Sequence, residues 1–242
     1  MKPSKSIHRL IVAVIFCTGA TPAAAMHISE GILTAPWAGL WFIAAVPFLY
    51  WGIREIKKRS AVAPQFKTYI ALMGAAVFII SCMPIPVPVA GTCSHPCGTG
   101  LAAILVGPAP TAVLASIALT LQALFLAHGG VTTLGANIFS MGVVGAFSGY
   151  AVYVVARRVG VNALVAAFLA GLVSDWMTYA STSFILSSAL HGEGSLWRMF
   201  LTIVVAFVPT QVPLGILEGI LSMGAVRFIY TRIPEIIKGG AR

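Results

Sequence analysis

Seven apolar stretches follow one another along the chain, at residues 34–53, 68–89, 98–106, 109–127, 133–156, 164–190 and 200–230. Roughly 20 apolar residues carry a helix across the hydrocarbon core of a bilayer. Six runs reach that length, and 98–106 is a short crossing or a re-entrant dip ended by Gly107-Pro108. The pattern predicts an all-α membrane protein of about seven transmembrane helices, one of them short. The last two runs are long and carry polar breaks. Pro84, Pro86 and Pro88 each remove an amide donor, so 82–89 is a poor helix despite being apolar. Irregular backbone at membrane depth is tolerated only where protein or a cavity surrounds it. Residues 84–100 are therefore expected to line an interior site. No internal repeat or low-complexity linker is present.

Composition supports this pattern. Of 242 residues, 59% are hydrophobic and 9% charged, against about 25% charged in an average soluble domain. That excludes a water-soluble globule, a disordered chain, a coiled coil and a disulfide-stapled secreted domain. It also leaves no room for a nucleotide-hydrolysing domain. Net charge is +9, from 15 Lys+Arg against 6 Asp+Glu. The basic residues form three zones, read as a loop at Arg54-Glu55-Ile56-Lys57-Lys58-Arg59, a second loop at Arg157-Arg158, and a tail with Arg232 and Lys238. Short basic segments orient spans with their charges in the cytoplasm. No basic stripe with interleaved aromatics points to nucleic acid.

The first 25 residues have the form of a secretory signal: Lys2, Lys5 and Arg9, a short apolar run at 10–20, and small residues at Ala23-Ala24-Ala25. Cleavage is expected before Met26; an uncleaved anchor helix is the alternative. The domains are then a cleavable signal at 1–25 and one multi-span unit at 26–242. An outside N-terminus and a cytoplasmic tail require an odd number of crossings, which gives seven, N-out and C-in.

Few residues are polar enough for chemistry. Cleavage would expose Met26-His27. A free amine, the next backbone amide nitrogen and a second-residue imidazole chelate one ion, closing a five-membered and then a six-membered ring through Nδ1. Three nitrogens lie nearly in a plane and leave one equatorial position open, an arrangement suited to late first-row divalent ions rather than tetrahedral zinc. His95 stands in the small, irregular stretch Gly91-Thr92-Cys93-Ser94-His95-Pro96-Cys97-Gly98-Thr99-Gly100. An ionisable group at membrane depth is a functional candidate by default, and His95 could fill the open position. Cys93 and Cys97 flank it. They could pair with each other or build a thiolate metal site, though a closed four-coordinate site lacks further ligands.

The stretch Met26-His27-Ile28-Ser29-Glu30-Gly31-Ile32-Leu33, the loop GTCSHPCGTGLAAILVGP at 91–108, the block QALFLAHGGVTTLGANIFSMGVVG at 122–145 and QVPLGILEGILS at 211–222 together resemble the cobalt/nickel substrate-capture subunits (CbiM/NikM type) of energy-coupling-factor transporters. The resemblance spans the chain from Met26 onward. It implies a seven-helix fold in the bacterial inner membrane, with the exposed Met-His bending back into the bundle. It also implies that Met26, His27 and His95 bind the transported ion. Ser94-His95-Pro96 resembles the cobalt branch, whereas nickel members more often read Gly-His-Leu there. Ser29 and Cys97 depart from the family pattern, Thr being usual at the latter. Cys97 is then a small packing residue, or a soft ligand that changes metal preference. The implied partners are a membrane scaffold (T component), paired cytoplasmic ATPases and a small accessory membrane protein, with Co²⁺ or Ni²⁺ as cargo.

His128, in Ala127-His128-Gly129-Gly130, is expected to orient a ligand by hydrogen bonding. Asn137 and Ser140, one helical turn apart, are placed to orient His95. Asp175 and Glu218 interrupt apolar runs and are expected in helix packing or partner contacts. No nucleophile–base pair, P-loop or Gly-x-Ser-x-Gly motif stands out. A membrane metalloenzyme, the rival of a different class, would need an open coordination position and a general base, and no base stands beside His95.

Overall fold

The computed structural model describes residues 27–83, 85–86 and 93–232. The expected signal, Met26 and the tail beyond Arg232 lie outside the described residues, as does the Cys93 side chain. Seven helices occur among the described residues: α1 (Ala35–Val62), α2 (Phe66–Ser81), α3 (Thr99–Val106), α4 (Pro108–Phe125), α5 (Leu134–Arg158), α6 (Ala163–Leu190) and α7 (Leu196–Arg232). Five of them, α1 and α4 to α7, are long and apolar enough to cross a membrane. The one extended pairing is a two-residue antiparallel contact, β1 (Ile85–Pro86) with β2 (Cys93–Ser94).

α1 starts with Pro36 in its first turn, where a missing amide costs nothing. It then runs past residue 53 to Val62, so Arg54 to Arg59 form its last turns rather than a loop. Lys, Arg and Glu are good helix formers, and cations suit the C-terminal end of a helix dipole. Arg157 and Arg158 likewise belong to the last turn of α5. α2 stops at Ser81, well short of the apolar run's end at 89, because the proline series begins at Pro84. Gly107, at φ +98°, breaks α3 from α4. Arg59 Nη1 donates to the free Val106 carbonyl there at 2.6 Å.

The C-terminal ends of α1, α3 and α5 meet at one basic end, around a cavity of about 810 Å³ lined by Lys58, Arg59, Arg157 and Arg158 among others. The opposite end gathers the segment before α1 and the α4–α5 loop: Gly130 lies against the Glu30 backbone, and Gly135 against Phe42.

Between the ends, small residues let α3, α5, α6 and α7 approach closely, as membrane helix interfaces require. A Cβ on Gly100 would stand 2.8 Å from Ser174 Cβ, one on Gly149 2.9 Å from the Ala170 carbonyl, and one on Gly171 2.7 Å from the Glu218 carbonyl. α3 is only eight residues long and mostly buried. It falls short of the length that crosses a bilayer. Within α5, residues Ile138–Gly145 form a π-helix, a local widening often found at functional sites.

Gly171→Leu should lower stability by about 1–3 kcal/mol through overpacking. Gly39→Ala, with nothing within 4 Å of its added carbon, should leave stability unchanged or slightly raised. Thermal unfolding of both variants in detergent checks this pair; equal melting temperatures would contradict the packing account.

Candidate metal centre

Three irregular segments converge at the end away from the basic cluster. They precede α1, precede α3, and link α4 to α5. Each brings one histidine. The ring centroids of His27 and His95 are 4.7 Å apart, those of His27 and His128 4.8 Å, and those of His95 and His128 5.0 Å. One ring nitrogen from each lies within 4.8 Å of the other two. His27 and His95 are each 1% exposed, and His128 is half-buried.

The N-terminal segment is held as a strand would be. Asn137 Oδ1 accepts the Ile28 amide at 2.8 Å, and Asn137 Nδ2 donates to the Ile28 carbonyl at 3.1 Å. The Thr133 hydroxyl also donates to that carbonyl. Asn137 therefore serves the backbone beside His27 and not the His95 ring, and Ser140 turns its hydroxyl to the Asn137 carbonyl at 3.2 Å. The expectation that this pair orients His95 is corrected on this point. Asn137 stands at the entry to the π-helix, whose wide turns follow it.

The α4–α5 loop makes room for this segment. Ala127 is at φ +49°, a conformation uncommon outside glycine, and it sets the direction of His128. A Cβ on Gly130 would fall 2.6 Å from the Glu30 backbone, so only glycine fits. Glu30 Oε2 accepts the Thr132 amide at 3.1 Å. The Thr132 hydroxyl and amide hold the Glu30 carboxyl below its ordinary value. That contact is complete above the ordinary carboxylate pKa and is lost as pH falls through the lowered one.

The loop before α3 is pinned on both sides of His95. The Ser94 hydroxyl accepts from Gln211 Nε2 at 2.6 Å and meets the Tyr179 hydroxyl at 3.1 Å. Beyond His95, Glu218 takes the Cys97 amide on Oε2 at 2.6 Å and the Gly98 amide on Oε1 at 3.0 Å. Glu218 thus satisfies two amide donors leading into α3, which helix starts otherwise leave open.

These bonds assign the ring nitrogens. Ser81 gives its one hydroxyl proton to the Val77 carbonyl at 2.6 Å, so it accepts from Gln122 Nε2 at 2.6 Å. Gln122 Oε1 must then accept, and His27 Nε2 donates to it at 3.0 Å. That leaves His27 Nδ1 with its lone pair. His95 Nδ1 donates to the Pro96 carbonyl at 3.1 Å, which leaves Nε2 with the lone pair and without a partner. His128 Nε2 is also buried without a partner. Three imidazoles this close, largely out of water, cannot all be charged, and burial lowers the His128 pKa below its ordinary value. Buried polar atoms are almost always paired, so clustered histidines with ring nitrogens unpartnered among the described residues suit a metal ion.

The family model described as cobalt uptake substrate-specific transmembrane region, CbiM, matches residues 27–236. The chain belongs to the CbiM family. Among its CbiM relatives, the cobalt transport protein CbiM of Geobacter sulfurreducens is 56% identical over 90% of this chain, which spans 63% of that relative's length. The cobalt transport protein CbiM of Sorangium cellulosum is 52% identical over 88% of this chain and 94% of its own. A crystal structure of a transition metal transporter, 24% identical, shares the CbiM-family fold with a TM-score of 0.75 over 89% of this chain and 98% of that one. With its long apolar helices, this CbiM-family chain is a multi-pass membrane protein.

Within the CbiM-family core, Cys97 is a free, buried thiol, 4.0 Å from Asp175 Oδ1. Asp175 and Glu218 are buried at 0% and 1% exposure; Glu218 clamps the loop that carries His95, a role beyond helix packing alone. His128, expected to orient a ligand, stands as near the other two rings as they do to each other. Gln122, Thr133, Tyr179 and Gln211 were not picked out individually from the sequence. A glutamine inside the apolar stretch 109–127, six residues before His128, is the one signal that would have marked Gln122.

Gln122→Leu should weaken cobalt binding about 10–100-fold, the usual cost of removing a group that orients a ligand. A cobalt titration of the purified protein measures it; unchanged affinity would show that the His27 tautomer does not depend on Gln122.

Proposed function

We propose that this chain is the capture subunit of a cobalt importer, taking up divalent cobalt from outside the cell at a site made by the Met26 amine, the His27 amide nitrogen and Nδ1, and His95 Nε2. His128 Nε2 approaches as an additional ligand. The observation that carries this reading is the convergence of three histidines, one ring nitrogen of each within 4.8 Å of the other two, with His27 Nε2–H engaged by Gln122 and Nδ1 left for the chelate. The family match and the curated relatives named for cobalt transport support cobalt as cargo.

In this reading the leader at 1–25 is removed and seven crossings run from an outside N-terminus to a cytoplasmic tail. The basic end faces the cytoplasm, which puts the histidines at the outer side. Cobalt sheds water for nitrogen donors, which late first-row ions prefer, and the His27 amide gives up its proton to solvent as its nitrogen binds. The energy comes from other chains: a membrane scaffold, paired ATPases and a small accessory membrane protein. Nickel is the second reading, because a near-planar nitrogen set also suits Ni²⁺. A competition titration of the two ions separates them.

N-terminal sequencing of the active protein should begin at Met26. Placing one extra residue before Met26 moves the amine off the ion, and His27→Ala removes a ring. Each should lose the ion held at the histidines, read as one bound cobalt fewer per chain on gel filtration, and should abolish cobalt accumulation by cells. Normal retention by the extended chain would overturn the chelate.

A further inference from the structure

A second set of ligating atoms lies next to the histidines and has no part in the capture site. Cys97 Sγ, a carboxylate oxygen of Asp175 and one of Glu218 all lie within 4.8 Å of one another. Cys97 follows His95 by two residues, so their Cα atoms are at most about 7 Å apart. Asp175 stands near the midpoint of α6, and Glu218 lies on α7 beyond both of its prolines, Pro209 and Pro213. The cluster is therefore deeper in the bundle than the loops that carry His27 and His128.

Glu218 is accounted for by the Cys97 and Gly98 amides, yet each of its oxygens keeps a further lone pair. Asp175 is not accounted for. It is fully buried, its Oδ2 has no partner, and its Oδ1 meets only the Cys97 sulfur at 4.0 Å. No lysine or arginine among the described residues pairs with either carboxylate. Two carboxyls and a thiol, packed together in an apolar bundle with one buried carboxylate oxygen unpartnered among the described residues, are what a divalent ion would neutralise.

We propose that Cys97, Asp175 and Glu218 form a second divalent-cation site, directly inward of the histidine cluster. The sulfur binds as thiolate, its proton leaving to solvent as the metal–sulfur bond forms. A thiolate with carboxylates selects Co²⁺, Zn²⁺ or Cd²⁺ over Mg²⁺ and Ca²⁺. Three protein ligands leave a fourth position open, as in exchangeable rather than closed sites. An ion released by His95 thus meets its next ligand two residues along the same loop.

Cadmium tests the site, because its thiolate complex absorbs in the ultraviolet where its imidazole complex does not. The chain, with its leader removed, carries Cys82→Ser and Cys93→Ser, so that Cys97 is its one thiol. It is saturated with cadmium in detergent, dialysed and counted for ions per chain. The two clusters predict two ions and a thiolate band. Cys97→Ser and Asp175→Leu should each retain one ion and lose the band, the retained ion showing that the fold survives. His27→Ala should lose the capture ion and keep the band, which separates this site from the capture site. One ion without a band in the parent chain overturns the proposal, as does a band that survives Cys97→Ser. A band lost with His27→Ala would put the sulfur in the histidine site and overturn it equally. Should Asp175→Leu hold neither ion, Cys97→Ser, a one-atom change, carries the decision.

Discussion

The site depends on four residues of chain, His27 to Glu30, that enter the mouth of a helical bundle and bury His27 and Ile28, where water cannot serve the Ile28 backbone. Asn137 replaces water on both polar groups of Ile28, and Thr133 adds a bond to its carbonyl. Ordering four residues costs about 1–2 kcal/mol each. Three buried hydrogen bonds return about 1 kcal/mol apiece, and full burial of Ile28 about 2–3 kcal/mol. These terms nearly cancel, so docking of the segment is close to balance without an ion. On the proposed function, an ion held by His27 and His95, with His128 beside them, would tie that segment to two others and decide the balance, coupling capture to closure of the mouth.

The other parts of the fold serve this closure. Gly129 and Gly130 remove the side chains that would collide with His27 and Glu30. The short helix α3 follows a loop that carries His95 into the bundle, and Glu218 and Gln211 from α7 fix that loop on both sides of the ring. Glycines on α3, α5 and α6 bring these helices close enough for α7 to reach the loop. The basic ends of α1 and α5 lie at the far end of the molecule, so charge and metal chemistry are separated along the bundle.

Much of this was legible in the residues. The apolar runs located all seven helices, and the prolines at 84, 86 and 88 marked where α2 must stop. His27 and His95 stood out because each is an ionisable group in a polar, glycine-rich interruption. Helix ends were less legible. Arg54 to Arg59 looked like a loop because hydropathy falls there, whereas helix propensity does not. His128 was read as a helper because sequence gives no distance between loops. Gln122 and Asn137 were hidden for a related reason: their role is to satisfy one particular backbone or ring atom, and that pairing exists only once the loops have met.

The most direct test of the central claim is the X-ray absorption spectrum of the protein loaded with one equivalent of cobalt. Folding of the N-terminal segment onto His95 and His128 predicts a shell of nitrogens alone, with the outer scattering of at least two imidazole rings. A shell dominated by oxygen or sulfur, without imidazole scattering, would contradict it.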